Sequence, residues 1–229
     1  MTSLQKWGKS VRTTIPVMAG YLVLGAGFGI LLRTRGYGLG WALAMSAFIY
    51  AGSMQYVAID LLTGGASLLT TAVTTLLVNA RHLFYGISML ERYRAAGRHA
   101  PYLIFSLTDE TYSLVAARED LTGAECFRIS LLDQLYWVLG TALGSLAGAY
   151  LDFNTTGIDF SLTALFLTVF TEQWLETKDH APALIGLGVS IVCRLLFGAD
   201  SFLLPTMGGM LCCLLVLDAR RTKKGGESV

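Results

Sequence analysis

Ala51-Gly52-Ser53-Met54-Gln55-Tyr56, Asn79-Ala80-Arg81-His82-Leu83-Phe84-Tyr85-Gly86 and Leu107-Thr108-Asp109-Glu110 are the three stretches whose reading decides the fold. They set an amide, a guanidinium, an imidazole and two carboxylates inside segments otherwise built of Leu, Val, Ala and Phe. An ionisable side chain at the centre of a bilayer costs roughly 2.5–3.5 kcal/mol on insertion scales, so Arg81, Asp109 and Glu110 left unpaired would cost about 8–10 kcal/mol together. Such groups persist at that depth only by pairing with one another or by facing an aqueous cavity. The stretch from Tyr50 to Glu110 is therefore the candidate functional site.

The composition sets the surroundings of that stretch. The chain has 229 residues, 54% hydrophobic and 14% charged, with a mean hydropathy of +0.57. Soluble domains carry about 25% charged residues, so the reading is an all-α integral membrane protein. Apolar runs near the ~20 residues that a crossing helix needs recur along the whole sequence. No polar block is large enough for a second domain, so residues 1–229 read as one polytopic transmembrane domain with a basic tail at 218–229. A net charge of +1 without a basic domain argues against nucleic acid. Cys126, Cys193, Cys212 and Cys213 lack the spacing of a zinc site or a disulfide framework and read as small apolar residues. No cofactor or metal is implied, and the absence of GxSxG, HExxH and CxxC argues against an enzyme. Lys6, Lys9 and Arg12 ahead of an apolar run mimic a signal peptide. The run from Ile15 to Leu32 is longer than a signal core and lacks a clean cleavage motif, so it reads as a retained first helix.

Seven to eight helices follow from the hydrophobic pattern. Helix 1, about Thr14 to Leu32, carries the pair Gly25 and Gly29, which serves close helix packing or marks a broken helix lining a cavity. Helix 2 covers about Leu39 to Leu62. Helix 3 covers about Ala66 to Met89, with Thr71, Thr75, Asn79, His82 and Gly86 along one face. Pro101 to Ala117 is short and polar for a span and reads as a re-entrant or cavity-facing segment. Helix 5, about Ile129 to Leu151, has the seam Gly140/Gly144/Gly148, read as helix packing and, if left exposed, as a docking face for a second membrane subunit. Asp133 and Gln134 are expected near its interfacial end. Helices 6, 7 and 8 are placed at about Phe160–Leu175, Pro182–Phe197 and Phe202–Leu217, followed by Arg220, Arg221, Lys223 and Lys224. Glu172, Glu176, Lys178, Asp179 and His180 read as a solvated helix end.

Positive charge favours the cytoplasmic side. Eight full spans would put the richest loop, Glu91–His99, outside. If 101–117 dips in and returns, every basic loop after helix 1, and the tail, lies inside, with only the amino terminus discordant. Seven spans plus that segment are therefore preferred. Gly38–Phe48 and Gly157–Leu167 are faintly alike, and their helices reach Gln55 and Gln173. In that topology they run oppositely, as in an inverted repeat with a midplane site.

A zwitterionic amino acid needs donors for its carboxylate, acceptors for its ammonium and an apolar pocket. Asn79, Arg81 and His82 supply donors; Gln55, Asp109 and Glu110 supply acceptors; Phe48, Tyr56, Phe84 and Tyr85 supply apolar surface. His82 is also suited to carry a proton. The competing reading for Arg81 is a structural pair with Asp109 or Glu110, and for Gln55, Asn79 and His82 it is interhelical hydrogen bonding. On this reading the whole chain would be a structural or assembly subunit.

At these residues the chain resembles the AzlC-type branched-chain amino-acid permeases. The resemblance rests on Ala51–Tyr56, Asn79–Gly86, Leu107–Glu110 and, more weakly, Gly157-Ile158-Asp159-Phe160. Val23-Leu24-Gly25 stands where that family's pattern has Pro-Phe-Gly. The resemblance implies the large subunit of a two-part exporter of branched-chain amino acids in the bacterial cytoplasmic membrane. It also implies a small AzlD-type membrane partner.

Overall fold

A computed structural model describes residues 2–116, 118, 120–150, 157, 160, 163–164, 167, 170–171, 174–175 and 177–226. Among these residues the secondary structure is helical throughout, with no strand. The chain divides into two compact units, Met1–Thr163 and Ala164–Val229.

Two long helices frame the first unit: α1 (Ser3–Thr34) and α8 (Gly123–Tyr150). They run parallel, in a register fixed by glycine. A Cβ on Gly25 would stand 2.8 Å from the Trp137 carbonyl oxygen, and one on Gly140 2.7 Å from that of Leu22. Gly29 is pressed against the Thr141 carbonyl in the same way, and Gly144 against that of Ala26. Without side chains at the contact the two backbones touch, and dispersion between them takes the place of the hydrophobic effect that lipid does not supply. The Gly25/Gly29 pair is thus a packing motif, and α1 passes unbroken through it. The seam Gly140/Gly144/Gly148 is consumed inside the unit, since Gly148 meets Ile30 and Arg33. It is not the open docking face that its sequence also allowed.

Between these two helices the chain is interrupted three times, each time inside one of the polar clusters. The expected helix 2 is two helices, α2 (Leu39–Phe48) and α3 (Gly52–Thr63), separated at Tyr50, whose φ of 43° lies in the left-handed region. A tyrosine there stores about 1–2 kcal/mol of strain. The Gln55 Nε2–H donates to Ser46 Oγ at 3.0 Å. In a straight helix residues nine apart are separated by about 13.5 Å of rise, so α3 folds back along α2. The reading of 39–62 as one crossing helix is therefore corrected: it is a hairpin.

The expected helix 3 is α4 (Leu68–Val78) and α5 (Arg81–Ala95). Their junction is softer. Ala80 N–H donates to Leu77 O and His82 N–H to Asn79 O, a tightened turn that shifts the phase of the helix without reversing it. After a short 3₁₀ turn, Gly97–His99, come α6 (Ala100–Phe105) and α7 (Asp109–Ala116). Arg92, near the end of α5, donates to the Val115 carbonyl at 2.6 Å and also to that of Arg118. His99 packs on Phe127 at 4.7 Å between ring centroids, so the chain leaves and re-enters one end of the unit. The expected returning segment is this second hairpin. The start of α1 stands at the same end: Arg118 donates to Thr13 Oγ1, Arg128 to Ser10 Oγ, and Lys9 pairs with Glu125 at 3.5 Å. The basic amino terminus, discordant in the charge analysis, thus joins the basic loops after α5 and α7, while Arg33 and Arg35, at the far end of α1, stand at the opposite end of the unit.

Outward-facing Leu68 and Leu69 are 89% and 75% exposed, an apolar exterior that water would not tolerate but lipid does.

The second unit contains α9 (Ala181–Ser201), interrupted at Gly198 (φ 76°), and α10 (Leu203–Gly226), which pack together. Asp179 Oδ1 accepts from the Ala181 N–H, so that part of the polar run caps a helix. Glu172, Gln173 and Glu176, half of the expected helix 6, and with them much of the second arm of the inverted repeat, lie outside the described residues.

Candidate functional site

The three interruptions meet at the level of Tyr21 on α1 and Asp133–Trp137 on α8. Three helix amino termini therefore converge there: α3 at Gly52, α5 at Arg81 and α7 at Asp109. The amino end of a helix exposes unpaired N–H groups and about half a positive charge. That of α7 is satisfied within the chain, because Thr108 Oγ1 accepts from the Thr111 N–H and two carboxylates lie in its first turn. That of α3 has no side-chain cap, whereas at α5 the His82 and Leu83 N–H groups are taken by the Asn79 and Ala80 carbonyls of the turn that joins it to α4.

Arg81 ties these ends together. One guanidinium nitrogen, Nη2, lies 2.9 Å from Asp109 Oδ2 and donates to Ser53 Oγ at 3.0 Å, so a single side chain joins α3, α5 and α7. The partners are only partly covered, with side-chain exposures of 32% and 24%. The pair is therefore partly open to the surface and not sealed in the core. Asp109 Oδ1 is buried without a hydrogen-bond partner among the described residues.

Beside this clamp lies a cavity of about 440 Å³, within the range of small-molecule sites. Its polar end is formed by the break residues Tyr50, Ala51, Asn79 and His82. Its apolar wall comes from Ile49, Leu90, Ile104, Phe105 and Leu107, and Tyr93 and Arg94 also line it. His82 Nδ1 lies 3.2 Å from the Asn79 carbonyl, an acceptor, which puts the ring proton on Nδ1 and leaves Nε2 as acceptor in the neutral form. Asn79 Oδ1 and the Tyr50 hydroxyl are buried with no partner among the described residues. Unsatisfied buried polar atoms cost about 1–3 kcal/mol each, a cost that a polar ligand removes.

The residues singled out from sequence separate into three groups. Asn79 and His82 line the cavity. Arg81, Asp109 and Glu110 form the charged layer behind it, with Glu110 accepting from the Tyr21 hydroxyl at 2.7 Å. Tyr85 stacks on Tyr112 at 4.5 Å beside His82. Gln55 stands apart from the cavity, fully buried, accepting from Trp137 Nε1–H at 2.9 Å and donating to Ser46. Of the four aromatic residues expected to form the apolar wall, Phe48 and Phe84 face outward at 80% and 62% exposure, and Tyr56 donates to the Leu24 carbonyl. Tyr50, Tyr93 and Phe105 take that place.

Sequence reasoning missed Tyr21, Tyr50 and Asp133. Asp133, expected near the interface, is completely buried and accepts from Thr111 Oγ1 at 2.8 Å. The signal was available: Asp133, Trp137, Gly140 and Gly144 follow i, i+4, i+7, i+11 and so share the packed face of α8.

Helices broken at membrane depth beside a cavity are the arrangement of a membrane transport protein, since irregular backbone survives there only where it is buried in protein or lines a cavity. A model of the AzlC protein family matches residues 16–151. The branched-chain amino acid transport protein AzlC of Bacillus subtilis is 46% identical over 209 residues, covering 89% of this chain and 82% of that protein. Uncharacterized membrane proteins of Helicobacter pylori strain 26695 and Haemophilus influenzae are 42% and 41% identical. They cover 89% and 92% of this chain, and 91% and 87% of their own lengths. The chain belongs to the AzlC family, a family of transport proteins and not of enzymes. No solved structure matches it significantly.

Proposed function

We propose that this chain is the substrate-carrying large subunit of an exporter of branched-chain and other hydrophobic amino acids. It would work in the bacterial cytoplasmic membrane, be driven by the proton gradient and act with a small AzlD-type membrane subunit. The observation that carries the reading is the cavity itself: it joins the polar break residues Asn79 and His82, beside the uncapped amino end of α3, to a largely apolar wall that an aliphatic side chain fits, with Arg94 as its one charged lining residue among the described residues. The branched-chain amino acid transport for which the Bacillus subtilis relative is named supports the substrate class.

In this reading the substrate carboxylate lies at the amino end of α3 with His82 and the Asn79 amide. The side chain enters the wall of Leu90, Ile104 and Phe105. Asp109 and Glu110 receive the ammonium, Asp109 exchanging its bond to Arg81 for one to the substrate. Tyr85 holds His82 in place, and Gln55 keeps the α2–α3 hairpin against α8. With the basic end of the first unit cytoplasmic, α1, α4–α5 and α8 cross, while the hairpins α2–α3 and α6–α7 enter from opposite faces and meet near the midplane.

The test is efflux of a panel of labelled amino acids from proteoliposomes holding the purified chain with and without the small subunit. Leucine, isoleucine and valine should leave only when both proteins are present and should slow when the pH gradient is collapsed. Full efflux by the single chain overturns the partner requirement. No efflux of any apolar amino acid by the pair overturns the substrate assignment.

A further inference from the structure

Behind the cavity, five side chains from three elements form one unbroken line of oxygen atoms. Glu110 Oε2 lies 2.7 Å from the Tyr21 hydroxyl, which lies 2.7 Å from Thr108 Oγ1. Thr108 Oγ1 is 3.0 Å from Thr111 Oγ1, which is 2.8 Å from Asp133 Oδ2. Tyr21, Thr108, Thr111 and Asp133 are all at most 7% exposed, so water does not compete for these bonds.

Counting protons along this line gives a definite result. Each hydroxyl has one proton and an ionised carboxylate has none. The four contacts need four protons, and the three hydroxyls supply three. With both carboxylates ionised, Tyr21 gives its proton to Glu110 and Thr111 gives its own to Asp133. Thr108 then has one proton for two contacts, with Tyr21 at 2.7 Å and with Thr111 at 3.0 Å, and whichever it serves the other is left with none. One additional proton completes the line, and it fits at either end. On Glu110, every bond points toward Asp133; on Asp133, every bond points toward Glu110. A proton on both carboxyls is one too many.

We propose that Glu110 and Asp133 share a single proton through Tyr21, Thr108 and Thr111, so that the line is a two-state proton relay joining the cavity to α8. In one passage the Glu110 carboxyl gives its proton to the Tyr21 oxygen. Tyr21 gives its own to Thr108, Thr108 to Thr111, and Thr111 to the Asp133 carboxylate. Four O–H bonds break and four form, charge moves from Asp133 to Glu110, and nothing is oxidised or reduced. At one end Glu110 feels the Arg81–Asp109 pair and Tyr21; at the other, Asp133 faces Tyr50 and Tyr102. Loss of Asp109 from Arg81 to a substrate ammonium changes the field at Glu110, which gives the cavity a means of biasing the relay. Only this last coupling rests on the transport reading.

Infrared difference spectroscopy of the purified chain in lipid nanodiscs at neutral pH tests the sharing. Wild type minus Glu110→Gln, and wild type minus Asp133→Asn, should each show loss of one protonated-carboxyl band. The amide introduced at either end supplies the fourth proton and leaves the opposite carboxyl ionised. The double variant should lose no more than either single one. A band lost in only one variant, in neither, or twice over in the double variant contradicts a shared proton.

Should an amide variant fail to give monodisperse protein, Thr111 decides. In proteoliposomes that also hold the small subunit, Thr111→Val should lower pH-gradient-driven leucine accumulation at least tenfold while leaving leucine counterflow intact, and Thr111→Ser should restore accumulation. Unchanged gradient-driven transport in Thr111→Val overturns the relay. If wild type shows the shared band but transports no amino acid, the substrate assignment fails and the relay stands.

Discussion

The first unit contains two kinds of helix, and they differ in what their small and polar residues are for. In α1 and α8 glycines bring two unbroken backbones into contact, and the buried polar groups hold the frame. In the segments between them, small and polar residues sit where the backbone itself stops being helical. The difference shows that Gly or Ser in a membrane helix has no fixed meaning: facing another backbone it is an adhesive, and beside an uncapped helix end it opens a site. The frame must be rigid for the interrupted segments to be held tip to tip, because they are fixed to it by side chains: Thr108 to Tyr21 on α1, and Thr111 and Gln55 to Asp133 and Trp137 on α8.

The largest effect should come from breaking the frame. A side chain at Gly144 overlaps the Ala26 carbonyl, so Gly144→Leu should abolish recovery of monodisperse protein. Gly20→Ala, where nothing lies within 4 Å of the added carbon, should leave thermal stability unchanged or raise it by up to about 1 kcal/mol. Equal behaviour of the two would show that the α1–α8 contact is not a backbone contact.

Breaking the interrupted segments should have the opposite signature, with function lost and fold kept. Arg81→Lys keeps the charge but not the planar fork that reaches Asp109 and Ser53 from one position. Transport should fall at least tenfold in a protein whose thermal transition moves by no more than a few degrees.

Smaller still is the effect of the Tyr50 hydroxyl, which is buried without a partner among the described residues. Tyr50→Phe removes a polar atom that costs about 1 kcal/mol or more to bury. Melting should shift upward while the leucine concentration for half-maximal efflux rises. A downward melting shift would mean that the hydroxyl is satisfied in the free protein. The smallest effect belongs to Lys9 and Glu125, with side chains 53% and 22% exposed. Lys9→Ala should change stability by less than about 1 kcal/mol, the ordinary range of a surface pair.

Much of this was legible before the fold was seen, and the part that was not has physical reasons. Arg81 and Asp109 were recognisable because a charge at bilayer depth must find a partner, and each is the other's. The returning segment at 100–116 was recognisable because its length was too short to cross and its flanking charges demanded one side. The α2–α3 hairpin was not legible. Its 24 residues, Leu39 to Leu62, have the length and polarity of a span, and the reversal lies in one backbone angle at Tyr50, a residue type that rarely adopts it. The apolar wall was misjudged for a related reason. Helical spacing was carried through 79–80 and 49–51, where the helix does not continue, and this turned Phe48 and Phe84 inward on paper when they face out. Asp133 was overlooked because its position near a predicted helix start was given more weight than its register with Trp137 and Gly140.

The central claim is that the interrupted segments form the amino-acid site and that the Arg81–Asp109 pair belongs to it. The most direct measurement is labelled-leucine efflux from proteoliposomes holding the Asp109→Asn variant with the small subunit, at matched protein content and with monodispersity checked beforehand. The account predicts loss of at least nine-tenths of wild-type efflux in a folded protein, because the asparagine amide is uncharged and cannot take the carboxylate's place toward either Arg81 or the substrate ammonium. Efflux near the wild-type rate from that folded variant would contradict it and reduce the pair to scaffolding.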